Sequence, residues 1–336
     1  MIALDAMGGD NAPAAIVAGA VSASQTSPNV MLLLVGRDDA IAAELKKHDY
    51  DKSRIRIISA ANIITDDDHP VAAIKSKKDS SMVVGLNTLK AKQAEAFVSA
   101  GSTGALLAGS TLIIGRTRGI ERPAIATVIP TTERPFLLID SGANVDCKPS
   151  YFAQFAMMGA VYMESVLGRE RPRVGLINIG TEEEKGNALA KESYQLLRQS
   201  GLNFIGNVEA KELPFGTVDV AVCDGFVGNV VLKLSEGLSK AILGMIKSAL
   251  GSSLTARLGA LLSMSALRGL KKKFDASDVG GAPFLGLNSL VVKAHGSSDA
   301  RAVTGAINQC VLFISNDIIS KIEAKLSQSQ PEKEAD

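Results

Sequence analysis

Short apolar runs alternate with longer stretches of helical period along most of this chain. The runs rich in β-branched residues and leucine, which predict strands, are Ile2–Asp5, Met31–Val35, Ile55–Ile58, Ala96–Ser99 and Ala124–Ile129, followed by Phe136–Asp140, Val174–Ile179, Phe204–Val208, Val218–Cys223 and Leu287–Val292. Between them, apolar residues at three- and four-residue spacing predict helices near Ala12–Ser24, Asp38–Lys47, Met82–Lys92, Gly104–Gly115, Ser150–Leu167, Glu183–Gln199, Gly228–Leu250 and Ala300–Leu326. Strands alternating with helices give an α/β fold, a three-layer α/β/α arrangement with a largely parallel sheet. Residues 1–326 read as one α/β catalytic unit, long enough for two lobes around a cleft, and 327–336 as a polar, frayed tail.

The segment 251–281 breaks this alternation. Leu254, Leu258, Leu261 and Leu262 make one apolar helical face, and Leu267, Leu270 and Phe274 rebuild it out of phase, with Arg268, Lys271, Lys272 and Lys273 on the polar side. Two short amphipathic pieces are expected. They suit an anionic membrane surface, a homodimer contact, an acidic protein partner or plain packing on their own domain.

Composition narrows the function classes. Lys+Arg 36 against Asp+Glu 35 and 4% aromatic residues argue against nucleic acid as a partner. Cys147, Cys223 and Cys310 are too few and scattered for a disulfide framework or a zinc site, which fits a reducing cytoplasm, and no metal is expected. The start Met1-Ile2-Ala3-Leu4-Asp5 carries no signal-peptide pattern, and no apolar stretch reaches membrane-spanning length.

Chemistry is concentrated where strands end. Five segments combine glycine with small polar or acidic residues: 5–11, 99–104, 140–144, 178–181 and 223–229. The turn Lys293-Ala294-His295-Gly296-Ser297-Ser298-Asp299 at the start of the last helical pattern is a sixth. Ligands of open parallel sheets bind beyond the carboxyl ends of the strands, so the six are expected to converge on one crevice. Gly101-Ser102-Thr103-Gly104 has the composition of a phosphate cradle but lacks the P-loop lysine and glycine spacing. His295 can hold an oxyanion or move a proton. Asp224 orients another side chain or caps the following helix. Lys185 reaches an anion or pairs with Glu182, Glu183 or Glu184. Cys147 has no histidine near in sequence to activate it as a nucleophile.

These loops, in this order, resemble the bacterial phosphate acyltransferase family, the acyl-carrier-protein:phosphate acyltransferases of phospholipid synthesis. The resemblance runs through Leu4-Asp5-Ala6-Met7-Gly8-Gly9-Asp10, Ser99-Ala100-Gly101-Ser102-Thr103-Gly104-Ala105, Gly119-Ile120-Glu121-Arg122-Pro123-Ala124 and Gly142-Ala143-Asn144-Val145-Asp146-Cys147. It continues through Asn178-Ile179-Gly180, Glu183-Glu184-Lys185-Gly186, Val222-Cys223-Asp224-Gly225-Phe226-Val227-Gly228-Asn229 and Lys293-Ala294-His295-Gly296. It implies a fold similar to phosphotransacetylases and the isopropylmalate dehydrogenase group, and a cytoplasmic homodimer held peripherally on the inner face of the cell membrane. The implied reaction joins the acyl group of acyl-carrier protein to inorganic phosphate without a cofactor. The acyl phosphate would pass to an integral glycerol-3-phosphate acyltransferase. Phosphate is then the nucleophile, so no activated serine or cysteine is required. On this reading Ser102, Thr103, Gly104, Gly296, Ser297 and Ser298 contact phosphate or acyl phosphate, and Lys185 neutralises it. Asn144, Asp224 and Asn229 position groups around it, while His295 stabilises the oxyanion or protonates the thiolate. The membrane contact falls to Leu254–Phe274. Rival readings are a phosphotransacetylase using acyl-CoA, a decarboxylating NAD-dependent dehydrogenase, for which no set of metal-binding aspartates and arginines can be assembled, and a membrane-surface scaffold, which has no use for six polar glycine loops.

Overall fold

The structure, a computed structural model, describes residues 1–27, 29–267, 269 and 280–329. Its eleven strands are β1 (Ile2–Asp5), β2 (Leu32–Gly36), β3 (Ile55–Ser59), β4 (Ala96–Ser99), β5 (Ala124–Ile129), β6 (Phe136–Ile139), β7 (Val174–Asn178), β8 (Phe204–Glu209), β9 (Val220–Val222), β10 (Ala282–Leu285) and β11 (Leu290–Lys293). They form one sheet in the order β3-β2-β1-β4-β11-β10-β5-β6-β9-β7-β8. All its pairings are parallel except β11–β10, β10–β5 and β5–β6, which form an antiparallel seam in the middle.

Alternate residues of the central strands enter different cores, which is what a sheet covered on both faces requires. Ile2, Leu4, Val98 and Val292 pack with α1 (Ala14–Thr26) and the helix Ala300–Ser315 on one face, whereas Ala3, Phe97 and Val291 pack on the other. That second face is covered by α4 (Ser81–Lys90), through Met82, Val83 and Leu86, and by α5 (Thr103–Gly109). Further helices are α2 (Asp38–Leu45), α3 (Pro70–Ser76), α6 (Pro149–Leu167), α7 (Ala188–Gln199), α8 (Gly225–Gly251) and α9 (Leu254–Leu262). Two more follow at the end of the chain, α10 (Ala300–Ser315) and α11 (Ile318–Ser329). No single helix among the described residues is long and apolar enough to cross a membrane.

The expected α/β architecture is present, with local differences. The pattern read as one helix from Ala300 to Leu326 is two, because Asp317 takes a left-handed φ of 47° that no helix interior accommodates and that aspartate tolerates better than most residues. The helix expected from Glu183 begins at Ala188, behind Gly186 at φ 92° and the Asn187 side chain, which accepts from the Ala190 N–H at 2.8 Å. Strand β10 escapes the periodicity reading because Pro283 interrupts it; the pairing of β10 with β5 takes up only Phe284 and Leu285, beyond the proline. Helix α3, seven residues opened by Pro70, is too short for a periodic signal. Of the expected amphipathic segment, α9 is described, while Arg268, Leu270, Lys271, Lys272, Lys273 and Phe274 lie outside the described residues, as do 330–336 of the expected tail.

Candidate functional site

Three of the six polar loops are tied into one knot. Asp5, at the end of β1, is buried, and its Oδ2 accepts from Ser99 Oγ at 2.7 Å while Oδ1 accepts from the Met7 N–H at 3.2 Å. Burial pushes its carboxyl above the usual range, and bonds from Ser81, Ser99 and the Met7 and Gly8 amides pull the other way. Ser99 Oγ in turn accepts from the Gly101 N–H at 3.1 Å. Any Cβ on Gly8 would stand 2.7 Å from Gly101 N, so only bare backbone lets these two loops approach. The first loop also grips the last: Asp10 N donates to Gly296 O at 2.8 Å, and Asn11 Nδ2 to the Ser297 and Ser298 carbonyls at 3.2 Å each. Ser102 is buried just before α5 without capping it, Thr103 is half-buried, and Gly104 is exposed.

The His295 turn is fixed by its own backbone. His295 Nδ1 accepts from the Ser297 N–H at 3.2 Å and lies 2.9 Å from Ser297 Oγ, which leaves Nε2 to carry the hydrogen of the neutral ring. Nε2 lies 3.3 Å from Lys233 Nζ and 3.8 Å from the Glu236 carboxylate. Burial, then the Lys233 charge, holds the imidazole below its ordinary pKa and so neutral at pH 7. Next along, Ser298 is 6% exposed, and its Oγ is buried without a partner among the described residues. Asp299 accepts from the Ala302 N–H at 2.9 Å and caps α10, whose amino end therefore faces this turn. A buried hydroxyl beside a helix amino end suits an acceptor such as a phosphate oxygen. Lys293, which ends β11, donates through Nζ to Ala100 O at 3.2 Å and to Ala294 O; burial draws its ammonium down to about 8.

A second knot joins two further loops. Asp140 is buried, and its Oδ1 accepts from the Ile125, Gly142 and Ala143 amides at 3.0–3.2 Å. Its Oδ2 accepts from Asn144 N at 2.6 Å and Asn144 Nδ2 at 2.8 Å. Burial pushes this carboxyl up, opposed by those amides and by the Asn144 side chain. Asn144 Nδ2 also donates to Pro123 O, so its amide nitrogen is engaged in shaping the loop. Asp224 caps α8 by accepting from the Val227 N–H at 2.8 Å. Gly228 presses against the Asp140 carbonyl, and exposed Asn229 faces Gly142. Burial and the Asp140 and Asp224 carboxylates push the Cys147 thiol to about 12, far from thiolate chemistry at neutral pH.

Lys185 stands apart. It is exposed, its N–H donates to Glu182 O at 3.2 Å, and its carbonyl accepts from Asn178 Nδ2. No contact among the described residues joins it to the His295 turn. Beside its loop is a largely apolar cavity of about 450 Å³, lined by Phe152, Leu176, Asn178, Cys223, Asp224 and Val231 among others. Val227 and Val231 of α8 face this cavity, whereas Asn229, Lys233 and Glu236 lie on the opposite face toward Gly142 and His295. Helix α8 thus separates the cavity from the histidine and links the two knots. Lys233 and Lys293 escaped the reading of site residues from sequence. The spacing Asn229–Lys233–Glu236 was the available signal for the first, and a lone lysine closing an otherwise apolar strand for the second.

A family described as fatty acid synthesis protein matches residues 1–321. The phosphate acyltransferase of Clostridium acetobutylicum is 50% identical over 328 residues, covering 98% of this chain and 99% of that protein. That of Clostridium perfringens strain SM101 is 51% identical, covering 97% of each. Among solved structures, a phosphotransacetylase from Streptococcus pyogenes superposes with a TM-score of 0.61 at 16% identity, over 95% of this chain and 94% of that one, which shows a shared fold. Half-identity over nearly the whole length, on top of the family match, means that this chain belongs to the fatty acid synthesis protein family and is an acyltransferase of the phosphate acyltransferase group.

Proposed function

We propose that this acyltransferase moves the acyl group of an acyl-carrier-protein thioester to inorganic phosphate, giving acyl phosphate and free carrier thiol. The observation that carries the reading is the buried Ser298 hydroxyl, partnerless among the described residues, beside the amino end of α10 and near His295. Phosphate seated there, with Ser297 and the Ser102–Gly104 loop around it, lies against the His295 turn. One phosphate oxygen attacks the thioester carbonyl. The oxyanion formed is met by His295 Nε2–H and the Lys233 ammonium, both placed before the charge develops. The carbon–sulfur bond then breaks, and the proton that entered on phosphate leaves on sulfur. The reaction consumes no cofactor.

The assay is release of free thiol with hydroxylamine trapping of acyl phosphate. Thiol release from acyl-carrier protein that requires phosphate is expected. Release from acyl-CoA alone would move the protein to the phosphotransacetylases, and release from neither would refute the acyl-transfer reading.

The same reading places the enzyme in the cytoplasm as a homodimer on the inner membrane face, handing acyl phosphate to an integral glycerol-3-phosphate acyltransferase. Its support is the apolar face of α9, where Leu254 is 78% and Leu262 86% exposed, with Leu258 and Leu261 beside them. Replacing Leu258 and Leu261 by glutamate is expected to abolish co-sedimentation with anionic vesicles while thiol release in solution persists. Unchanged sedimentation would refute the membrane assignment.

A further inference from the structure

A departing thiolate needs a proton, and His295 is poorly built to supply it. Its Nδ1 is occupied by the Ser297 amide, and the ring stands neutral beside Lys233, so giving up the Nε2 hydrogen would leave an imidazolate. The neighbouring cation is better placed. We propose that Lys293 is the general acid that protonates the departing thiolate, a role that presupposes the acyl-thioester reaction proposed above.

The geometry is specific. Lys293 leaves β11 two residues before His295 and reaches across to the loop after β4, where Ala100 O accepts from Nζ at 3.2 Å; Ala294 O accepts a second hydrogen. An ammonium carries three N–H bonds, so two carbonyls fix its position and, among the described residues, one N–H is left for a reactant. The charges around it come from every neighbouring element: Asp5 from β1, Asp10 from the first loop, Asp66 from the segment between β3 and α3, Lys233 from α8, and the neutral His295. Burial dominates over the three carboxylates and brings the ammonium to about 8. An alkyl thiol titrates near ~8.5, so transfer from Lys293 to sulfur is close to thermoneutral, whereas an ordinary lysine near ~10.4 would face roughly a hundredfold adverse equilibrium.

The step balances. As the carbon–sulfur bond breaks, its electron pair goes to sulfur, and Lys293 gives its proton there, becoming an amine. The amine then takes the proton still carried by the phosphoryl group, which restores the ammonium and releases acyl phosphate as the dianion.

The test compares two thioesters of one acyl group, the carrier-protein thioester and a nitrothiophenyl ester whose thiolate leaves without protonation. Lys293→Met is expected to lose about 10²-fold or more on the carrier thioester, the usual worth of a general acid, and at least about tenfold less than that on the aryl ester. Lys293→Arg should show the same split, because guanidinium keeps the charge but does not give up its proton. Wild-type turnover of the carrier thioester should fall above about pH 8, and turnover of the aryl ester should not. Equal losses on both esters in the arginine variant, with an unaltered melting curve, would overturn the role of Lys293 while leaving the acyltransferase reading intact. Wild-type protein that releases no thiol from either ester in phosphate would overturn both.

Discussion

Gly228 offers a sharp perturbation, because it ties the second knot to α8. A Cβ at this position would stand 1.9 Å from Asp140 O, 2.9 Å from Asp140 C and 3.0 Å from Cys223 Sγ. Favourable contact begins near ~3.5 Å, so Gly228→Ala needs the first turn of α8 to retreat by roughly 1.5 Å. The obstructing atom is backbone held by the parallel pairing of β6 with β9, and Asp140 itself is fixed by four amides, so the sheet side cannot yield cheaply. Overpacking of this kind costs about 1–3 kcal/mol, and a rigid backbone obstacle puts Gly228→Ala at the top of that range. Activity should suffer more than stability does. Lys233 lies five residues on and meets His295 at 3.3 Å, so a retreat of that size breaks the contact, and a misplacement near 1 Å can cost ~10²-fold in rate. Urea unfolding measures the first effect and phosphate-dependent thiol release the second. A Gly228→Ala protein with wild-type midpoint and wild-type turnover would show that α8 is not seated as described.

Other outcomes follow from the same geometry. His295→Ala should lower acyl phosphate formation by about 10²–10³-fold, the scale of a lost oxyanion donor, and a wild-type rate would end its role. Lys233→Met should raise the His295 pKa toward its ordinary value, since the lysine charge is the second contributor after burial in holding it down; an unmoved imidazole titration by NMR would contradict the 3.3 Å contact. Because burial and the Lys233 charge hold His295 down, its imidazole should titrate below pH 6.5 in the folded protein when followed by NMR; a midpoint above that value would contradict the described surroundings. Asp140→Asn turns an acceptor of five N–H bonds into a group with donors of its own and should cost about 3 kcal/mol or more in urea unfolding; little loss would mean that the loop finds its shape otherwise.

Much of this fold was legible because its strands carry the signal themselves. Ile2–Asp5, Ala96–Ser99 and Ala124–Ile129 have the predicted bounds, the first two being apolar runs closed by an acid or a small polar residue and the third a run stopped by Pro130. What the chain hid was set by tertiary context. Pro283 masked β10, and one left-handed residue, Asp317, split a pattern whose hydrophobic period never faltered. In the site, glycine and small polar residues announced the loops by composition, but not which loop meets which. The knot of Asp5, Ser99 and Gly101 with the His295 turn depends on β1, β4 and β11 being neighbours, an adjacency set by long-range pairing. Lys233 looks like any solvated helix lysine until the fold brings His295 to it across 62 positions of sequence.

Among the described residues, helix α8 meets the two knots only through its first turns. Asp224 and Gly228 seat its first turn, Lys233 touches the histidine about 7 Å further along the axis, and the remaining length runs on for a total of about 35 Å from Gly228 to Gly251. Its outward residues Leu234, Leu238, Ile242 and Met245 are half or more exposed. Treated as a rod pivoting at Gly228, the helix magnifies motion nearly fivefold, so opening the Lys233–His295 contact by 1 Å swings the tip by about 5 Å. The relation also runs backwards. Whatever grips the far end of α8 steadies the ammonium at the imidazole, so occupancy of a surface about 30 Å away is felt as rigidity at the reacting centre.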